Sequence, residues 1–399
     1  MDKMLLCGGK LITPAGILED HCLYLVDGMI ADILPEQTRR VNDAMVIDVR
    51  GKYIAPGFVD IHQHGGGGGD YRDGTPEDYR KALLTHLTHG TTSILPTLVS
   101  ADVDDTICAA KQYARFVKNE KAQVNLLGLH LEGPFLSARQ VGAINPDCIR
   151  DFCGAEYTAV YDAAEGLLKR WSVAPELAGA QQFAEFARKH DIVLSIAHSD
   201  ADFDTVLKAY DWGFHHVTHL YSGMSTVSRQ GGFRRAGVLE AAFYLDDMNV
   251  EIIADGCHLP ESLLKFVTKF KKWDKISLIT DAMRAAGQNV RESTLGSGKE
   301  AMKVIIEDGV AKLPSREAFA GSVATADRLV RTMLSVGIPL SESIRMVSEY
   351  PLRMMEIKSK KGQIRKGFDA DLCVFDENIQ VTDVIVSGKI CYNNEKLVV

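Results

Sequence analysis

The sequence predicts an α/β fold, a (β/α)8 TIM-type barrel with a small discontinuous β-sandwich domain formed by both termini. Short apolar runs at 58–62, 92–96, 125–132, 171–174, 193–198, 216–219, 250–254 and 275–281 read as eight strands buried on both faces. Amphipathic stretches at 76–89, 102–118, 177–190, 202–212 and 260–273 lie between them, as helices do in successive βα units. Histidines and acids able to bind metal recur at the C-terminal ends of the first, third, fifth, sixth and eighth strands, which a closed barrel gathers at one mouth. A doubly wound open sheet is the competing arrangement.

Residues 1–55 contain short strand-like runs at 4–11, 22–26, 29–34 and 45–48, with Asp27-Gly28 as a hairpin signal. Residues 362–399 return to strands at 370–375, 381–386 and 389–392, turning at Ser387-Gly388. Neither segment has a core partner of its own. The expected organisation is therefore one small domain from 1–55 and 362–399 and a barrel over 56–361, whose last stretch, 340–355, reads as helical through Tyr350-Pro351.

The 399 residues are 46% hydrophobic and 25% charged, enough for a large core. A formal charge of -8 argues against nucleic acid or an anionic membrane as partner and leaves a small molecule. No apolar run approaches the roughly 20 residues of a membrane span, and residues 1–25 lack a basic start and cleavage pattern, so the expected location is cytoplasmic. The eight cysteines are scattered without a C-x-x-C pair and are expected as reduced thiols; Cys257 alone falls beside candidate site residues.

His62 and His64 end the first strand one residue apart and point the same way, an arrangement suited to one metal ion. The alternative is a hydrogen-bonded core pair. Glu132 ends the third strand as a carboxylate among apolar residues, where it must be paired, neutralised or metal-bound, and it is expected to bridge two ions. His130, deeper on that strand, is expected as a hydrogen-bonded core residue. His198 and His219 close the fifth and sixth strands and complete a ligand set for one or two divalent ions: zinc first, iron, manganese or cobalt as alternatives.

Asp281, on the last strand, is expected as general base and acid, with a helix N-cap as the bland alternative. His215 and His216 are expected to be structural, and His21, His86, His89 and His190 to lie on the surface. The run Gly65–Gly69 has no following Lys-Ser/Thr, which excludes a P-loop; it is expected as a flexible loop near the site, with Asp70 as a local hydrogen-bond partner.

PGFVDIHQHGGGGGD, GLHLEGPF, IAHS, THLY, IIADGCH and LITDA, in this order, resemble the amidohydrolase superfamily, and within it the N-acetylglucosamine-6-phosphate deacetylases; KGFDADLCVFD extends the likeness to the terminal β segment. The resemblance implies metal ligands at Glu132, His198 and His219, a second site at His62 and His64, catalysis by Asp281, and contact of His258 with the sugar phosphate. It also implies an N-acetyl amino sugar as substrate and a homodimer in which the partner completes the phosphate site. The fourth strand ends without the lysine that dihydroorotase-like and urease-like relatives carboxylate, which favours Glu132 as the bridge.

Three departures fall on substrate recognition. Ile144 stands where those deacetylases carry a carbonyl-polarising histidine. THLYSGM places Ser222 and Gly223 at positions that hold sugar and phosphate, and the phosphate-binding arginine has only Arg229, Arg234 or Arg235 as counterparts. The metal-ligand set is intact, so the expected activity is acetyl removal from N-acetylglucosamine-6-phosphate or a close relative. A deaminase or cyclic-amide hydrolase of the same superfamily, and a non-catalytic relative, are the competing readings.

Overall fold

The computed structural model describes residues 2–38, 43–298, 301–393 and 396–398. Eight parallel strands follow one another around the barrel: β1 (Phe58–Gln63), β2 (Thr91–Val99), β3 (Leu129–Glu132), β4 (Leu168–Val173), β5 (Val193–Ile196), β6 (Phe214–Val217), β7 (Asn249–Ile252) and β8 (Ile276–Leu278). Each pairs with the next in sequence, from β1–β2 to β7–β8. Past β8, the Asp281 amide donates to the His62 carbonyl at 2.9 Å and Thr280 Oγ1 donates to Asp60 at 2.5 Å, so the ring is nearly closed.

Helices α1 (Pro76–Thr88), α2 (Val103–Asn119), α3 (Gly154–Ala163), α4 (Ala180–Lys189), α5 (Phe203–Trp212), α6 (Val238–Tyr244), α7 (Glu261–Phe270) and α8 (Ala326–Ser335) follow the strands. Local chemistry sets their ends. Thr75 caps α1 by accepting from the Asp78 amide, with Pro76 at the first helical position; Asp202 caps α5, which stops at Gly213 with φ 114°. Tyr79, Leu83 and Leu87 of α1 and Phe183 and Ala187 of α4 are buried in the same apolar cluster as Ile94, Trp171 and Leu194 of the strands.

The strand Tyr53–Pro56 pairs antiparallel with Leu372–Phe375 and parallel with Lys10–Thr13, which joins the two ends of the chain in one sheet. A second sheet, containing Lys3–Cys7, His21–Val26, Met29–Pro35 and Met45–Asp48, shares an apolar cluster with it: Leu6, Leu23 and Ile30 from one side, Ile54, Leu372 and Ile385 from the other. That is a β sandwich built from both termini.

Several local expectations are corrected. The run 4–11 breaks into two strands at Gly8, whose φ of 83° turns the chain from one sheet to the other. The run 125–132 breaks before Leu129, with Gly128 at φ 129°. The helical run 340–355 divides into Leu340–Met346 and Glu349–Met354. Helix α3 was not anticipated; only Val160 and Ala163 of it are buried, too little for an apolar stripe. Nor was the antiparallel sheet Glu292–Leu295, Met302–Glu307, Val310–Lys312.

The cysteines are not all reduced: Cys7 and Cys22 form a disulfide, because Leu6 pairs with Leu23 across two antiparallel strands and sets the two thiols side by side. The glycine run is not a flexible loop. Gly65–Gly66 and Gly69–Asp70 pair antiparallel around Gly67 and Gly68, and Gly65 and Gly69 leave room for backbone only: a Cβ would lie 2.2 Å from the Gly69 carbonyl oxygen in one case and 2.3 Å from that of Asp78 in the other. His86 is buried, not on the surface, and donates from Nε2 to the Gly65 carbonyl at 2.9 Å.

Candidate active site

At the barrel mouth Glu132 lies between two pairs of histidines. Its Oε1 is 3.2 Å from His198 Nε2 and 2.8 Å from His219 Nε2; its Oε2 is 3.3 Å from His64 Nε2 and 3.6 Å from His62 Nε2. Asp281 Oδ1 faces the second pair, 3.2 Å from His64 and 3.6 Å from His62. All six side chains are buried. His198, His219 and Asp281 lie just past β5, β6 and β8 in the left-handed region, with φ of 44°, 30° and 48°. Such a backbone costs about 1–3 kcal/mol at a non-glycine residue, and here it turns each side chain inward over the strand ends.

The four histidines share one orientation. Each Nδ1 meets an acceptor: the Thr97 carbonyl for His64 at 3.2 Å, the Gln140 carbonyl for His198 at 2.7 Å, the Ser222 carbonyl for His219 at 3.2 Å, and the Glu251 carboxylate for His62 at 3.4 Å. An Nδ1–H engaged in this way directs Nε2 into the shared space, where an ion would take the place of any proton on that nitrogen. His62 Nε2 is buried with no hydrogen-bond partner among the described residues. Among the described residues, two ligand groups meet the geometric requirement for an ion, His62–His64–Glu132 and Glu132–His198–His219, with Glu132 common to both. Nitrogen and carboxylate donors of this kind suit zinc and its first-row neighbours.

The electrostatics are those of a cation site. Burial disfavours a charged His62, but Glu132, Glu251 and Asp281 outweigh it and hold its pKa at about 9; His64 is raised in the same way, by Asp281 and Glu132. Burial likewise opposes charge on Glu132 and Asp281, yet the histidines keep Glu132 well below the usual carboxylate range and Asp281 below it. His130 sits beneath, held by Thr97 Oγ1 at 3.0 Å and Ser172 Oγ at 2.7 Å, as a satisfied core residue.

A cavity of about 390 Å³ opens above these groups, lined also by Ile144, Ser222, Gly223, His258, Arg316 and Phe319. His258 donates from Nδ1 to Asp255 at 2.9 Å and packs on Phe319 at 4.7 Å. Gly223 has φ 56°, and a Cβ there would come 2.6 Å from His198 Nδ1, so Ser222 and Gly223 also shape the seats of His219 and His198. Ile144 packs among Val99, Leu136 and Ala197 and offers no donor.

Arg229, Arg234 and Arg235 do not reach this cavity. They sit on an exposed hairpin, Ser228–Gln230 and Phe233–Arg235. Bridges Ser199–Met224 and Asp202–Gly237 pin both ends of that segment beside the loop after β5, and Arg229 and Arg235 line a separate cavity with Arg139 and Asp200. The arginine among the residues lining the site is Arg316, paired with Glu307 at 2.9 Å; sequence reading did not single it out. It also missed the fully buried Arg170 and Glu251, for which the available signal was a charged residue inside an apolar strand.

The sequence profile of the amidohydrolase family matches residues 53–391. The chain belongs to the amidohydrolase family. Among curated members, it is 30% identical over 383 residues to an N-acetylgalactosamine-6-phosphate deacetylase of Escherichia coli O157:H7, covering 96% of this chain and 97% of that one. It is 30% identical over 388 residues to an N-acetylglucosamine-6-phosphate deacetylase of Lysinibacillus sphaericus, covering 95% of each. A solved structure of a variant N-acetyl-D-glucosamine-6-phosphate deacetylase from Mycobacterium smegmatis, in complex with N-acetyl-D-glucosamine-6-phosphate, superposes with a TM-score of 0.89 at 28% identity, covering 98% of this chain and 100% of that one. The barrel and terminal sandwich of this amidohydrolase are thus those of known deacetylases.

Proposed function

We propose that this amidohydrolase removes the acetyl group from an N-acetyl amino sugar 6-phosphate, the gluco or galacto form, with one or two divalent ions, zinc first. The observation that carries the reading is Glu132 shared by two histidine pairs with Asp281 alongside, in a chain similar over nearly its whole length to deacetylases of both sugars. His62, His64, Glu132, His198 and His219 would hold the ions. When bound, such an ion supplies Lewis acidity at a carbonyl oxygen and makes water more acidic, the first of which Ile144, with no donor, cannot offer.

The chain's own residues do the rest. Asp281, ionised at neutral pH, takes the proton of the attacking water on a carboxylate oxygen and returns it to the sugar nitrogen as the C–N bond breaks. Burial of the ligands under the cavity floor keeps bulk water from screening this charge. His258, held by Asp255, binds the sugar phosphate end. The exposed hairpin with Arg229, Arg234, Arg235 and Phe233 is assigned to a homodimer contact that completes the phosphate site of the partner. The working location is cytoplasmic.

The test is acetate release by metal-replete protein from N-acetylglucosamine-6-phosphate, its galacto epimer and both unphosphorylated sugars. Turnover of at least one phosphorylated sugar in preference to its unphosphorylated form is expected. No turnover of any of the four, with hydrolysis of a cyclic amide instead, would transfer the assignment to the cyclic-amide branch of the family.

A further inference from the structure

Among the four site histidines, His62 alone is oriented by a side chain. The other three Nδ1 atoms meet backbone carbonyls, whose positions the loops dictate, whereas His62 Nδ1 faces Glu251 Oε2 at 3.4 Å. Glu251 comes from β7 and is itself held by Arg170 of β4, which reaches across the barrel interior. Arg170 donates further to Ser195 Oγ at 3.0 Å and Thr218 Oγ1 at 3.1 Å, so the pair is locked by β5 and by the residue that follows β6 as well. His62 and Arg170 are 0% exposed and Glu251 is 2%.

Such a pair is a poor device for stability alone. Removing two charges from water is costly, and apolar replacements of similar volume are often neutral or better. Its chemistry suits another task. A carboxylate accepting Nδ1–H fixes the tautomer and ring plane of a histidine and makes its Nε2 a stronger ligand. A carboxylate this deep needs a counter-ion of its own to stay charged, and Arg170 is that counter-ion.

We propose that Glu251, anchored by Arg170, is a positioning residue for His62 that sets divalent-ion affinity on the His62–His64 side of the site. This rests on the metal reading above and goes beyond it. The His198–His219 side, whose Nδ1 partners are backbone carbonyls, does not depend on the pair.

The experiment titrates the full-length protein, stripped by a chelator, with Zn²⁺ alone, reading bound equivalents by elemental analysis after desalting and affinities by calorimetry. Wild type is expected to take two equivalents. Arg170→Met with Glu251→Met removes both charges and the acceptor; its second equivalent should bind about 10–100-fold more weakly, the usual effect of losing such a partner. Arg170→Met with Glu251→Gln also removes both charges but keeps an amide oxygen as acceptor, and its affinity for the second equivalent should fall between those of wild type and the first double variant. Urea unfolding verifies that both double variants fold. Equal binding by wild type and both variants, equal loss in both variants, or a single equivalent in wild type overturns the proposal. A wild-type protein that takes up no ion overturns the metal reading as well.

Discussion

In the mechanism proposed above Asp281 moves a proton whereas His62 and His64 hold an ion, and the two roles are separable by experiment. Asp281→Asn keeps the volume and the inward turn at φ 48° but removes the base. Expected are a fall in kcat of about 10²–10⁴-fold, little change in KM, and metal content equal to wild type in the same preparation. Replacing His62 and His64 together by alanine is expected to leave the Glu132–His198–His219 group with one ion and to abolish turnover, because Ile144 provides no other means of polarising the acetyl carbonyl. A double variant with one ion and full turnover would show that the His62–His64 side is dispensable.

At the level of the element, helix α1 and the glycine turn are built for each other. Gly66 and Gly67 pack against His86 and Thr85, and His86 donates to the Gly65 carbonyl, one residue after His64. Burial pushes the His86 pKa down to about 4, so the folded protein keeps this ring neutral where an unfolded chain would already be protonated at its ordinary 6.5. A depressed histidine pKa means that stability is full above pH 6.5, declines as pH falls from 6.5 to 4, and levels off below. The decline attributable to His86 is about 3 kcal/mol. His86→Gln keeps a donor toward Gly65 but does not titrate. Urea unfolding across this pH range should show a correspondingly shallower slope in the variant; an unchanged slope would remove His86 from the account.

Across the whole molecule, Asp371 is where sandwich and barrel are tied. Its carboxylate accepts from Lys361 Nζ at 2.6 Å, from Asn125 Nδ2 at 2.9 Å and from the Ser387 amide at 2.7 Å, while its carbonyl accepts from the Gly57 amide at the entrance to β1. Deleting a buried carboxylate leaves its cation and amide partners unsatisfied, at about 3–5 kcal/mol. Asp371→Ala should lower stability by that amount and, if the two units unfold together, should do so in one transition seen alike by fluorescence and circular dichroism. Two separated transitions would show that the sandwich melts first and that the tie is weaker than its geometry implies.

Strand ends were legible in the sequence because a buried apolar strand that finishes in histidine or a carboxylate has few structural explanations; hence His62, His64, Glu132, His198, His219 and Asp281 could be read from the chain alone, and the structure brings them together. The order of the barrel strands followed from the same regularity. What the sequence by itself left undetermined depends on contacts between distant strands or on loop paths. Arg170 and Glu251 acquire meaning only when β4 and β7 face each other across the barrel, and Cys7 meets Cys22 only through strand register. Arg316 enters the cavity, and Arg229, Arg234 and Arg235 leave it, because of the route their loops take between pinned ends. Side-chain character and period are local properties of a chain, whereas register across a sheet and the direction of a long loop are set by packing, and only the tertiary structure decides them.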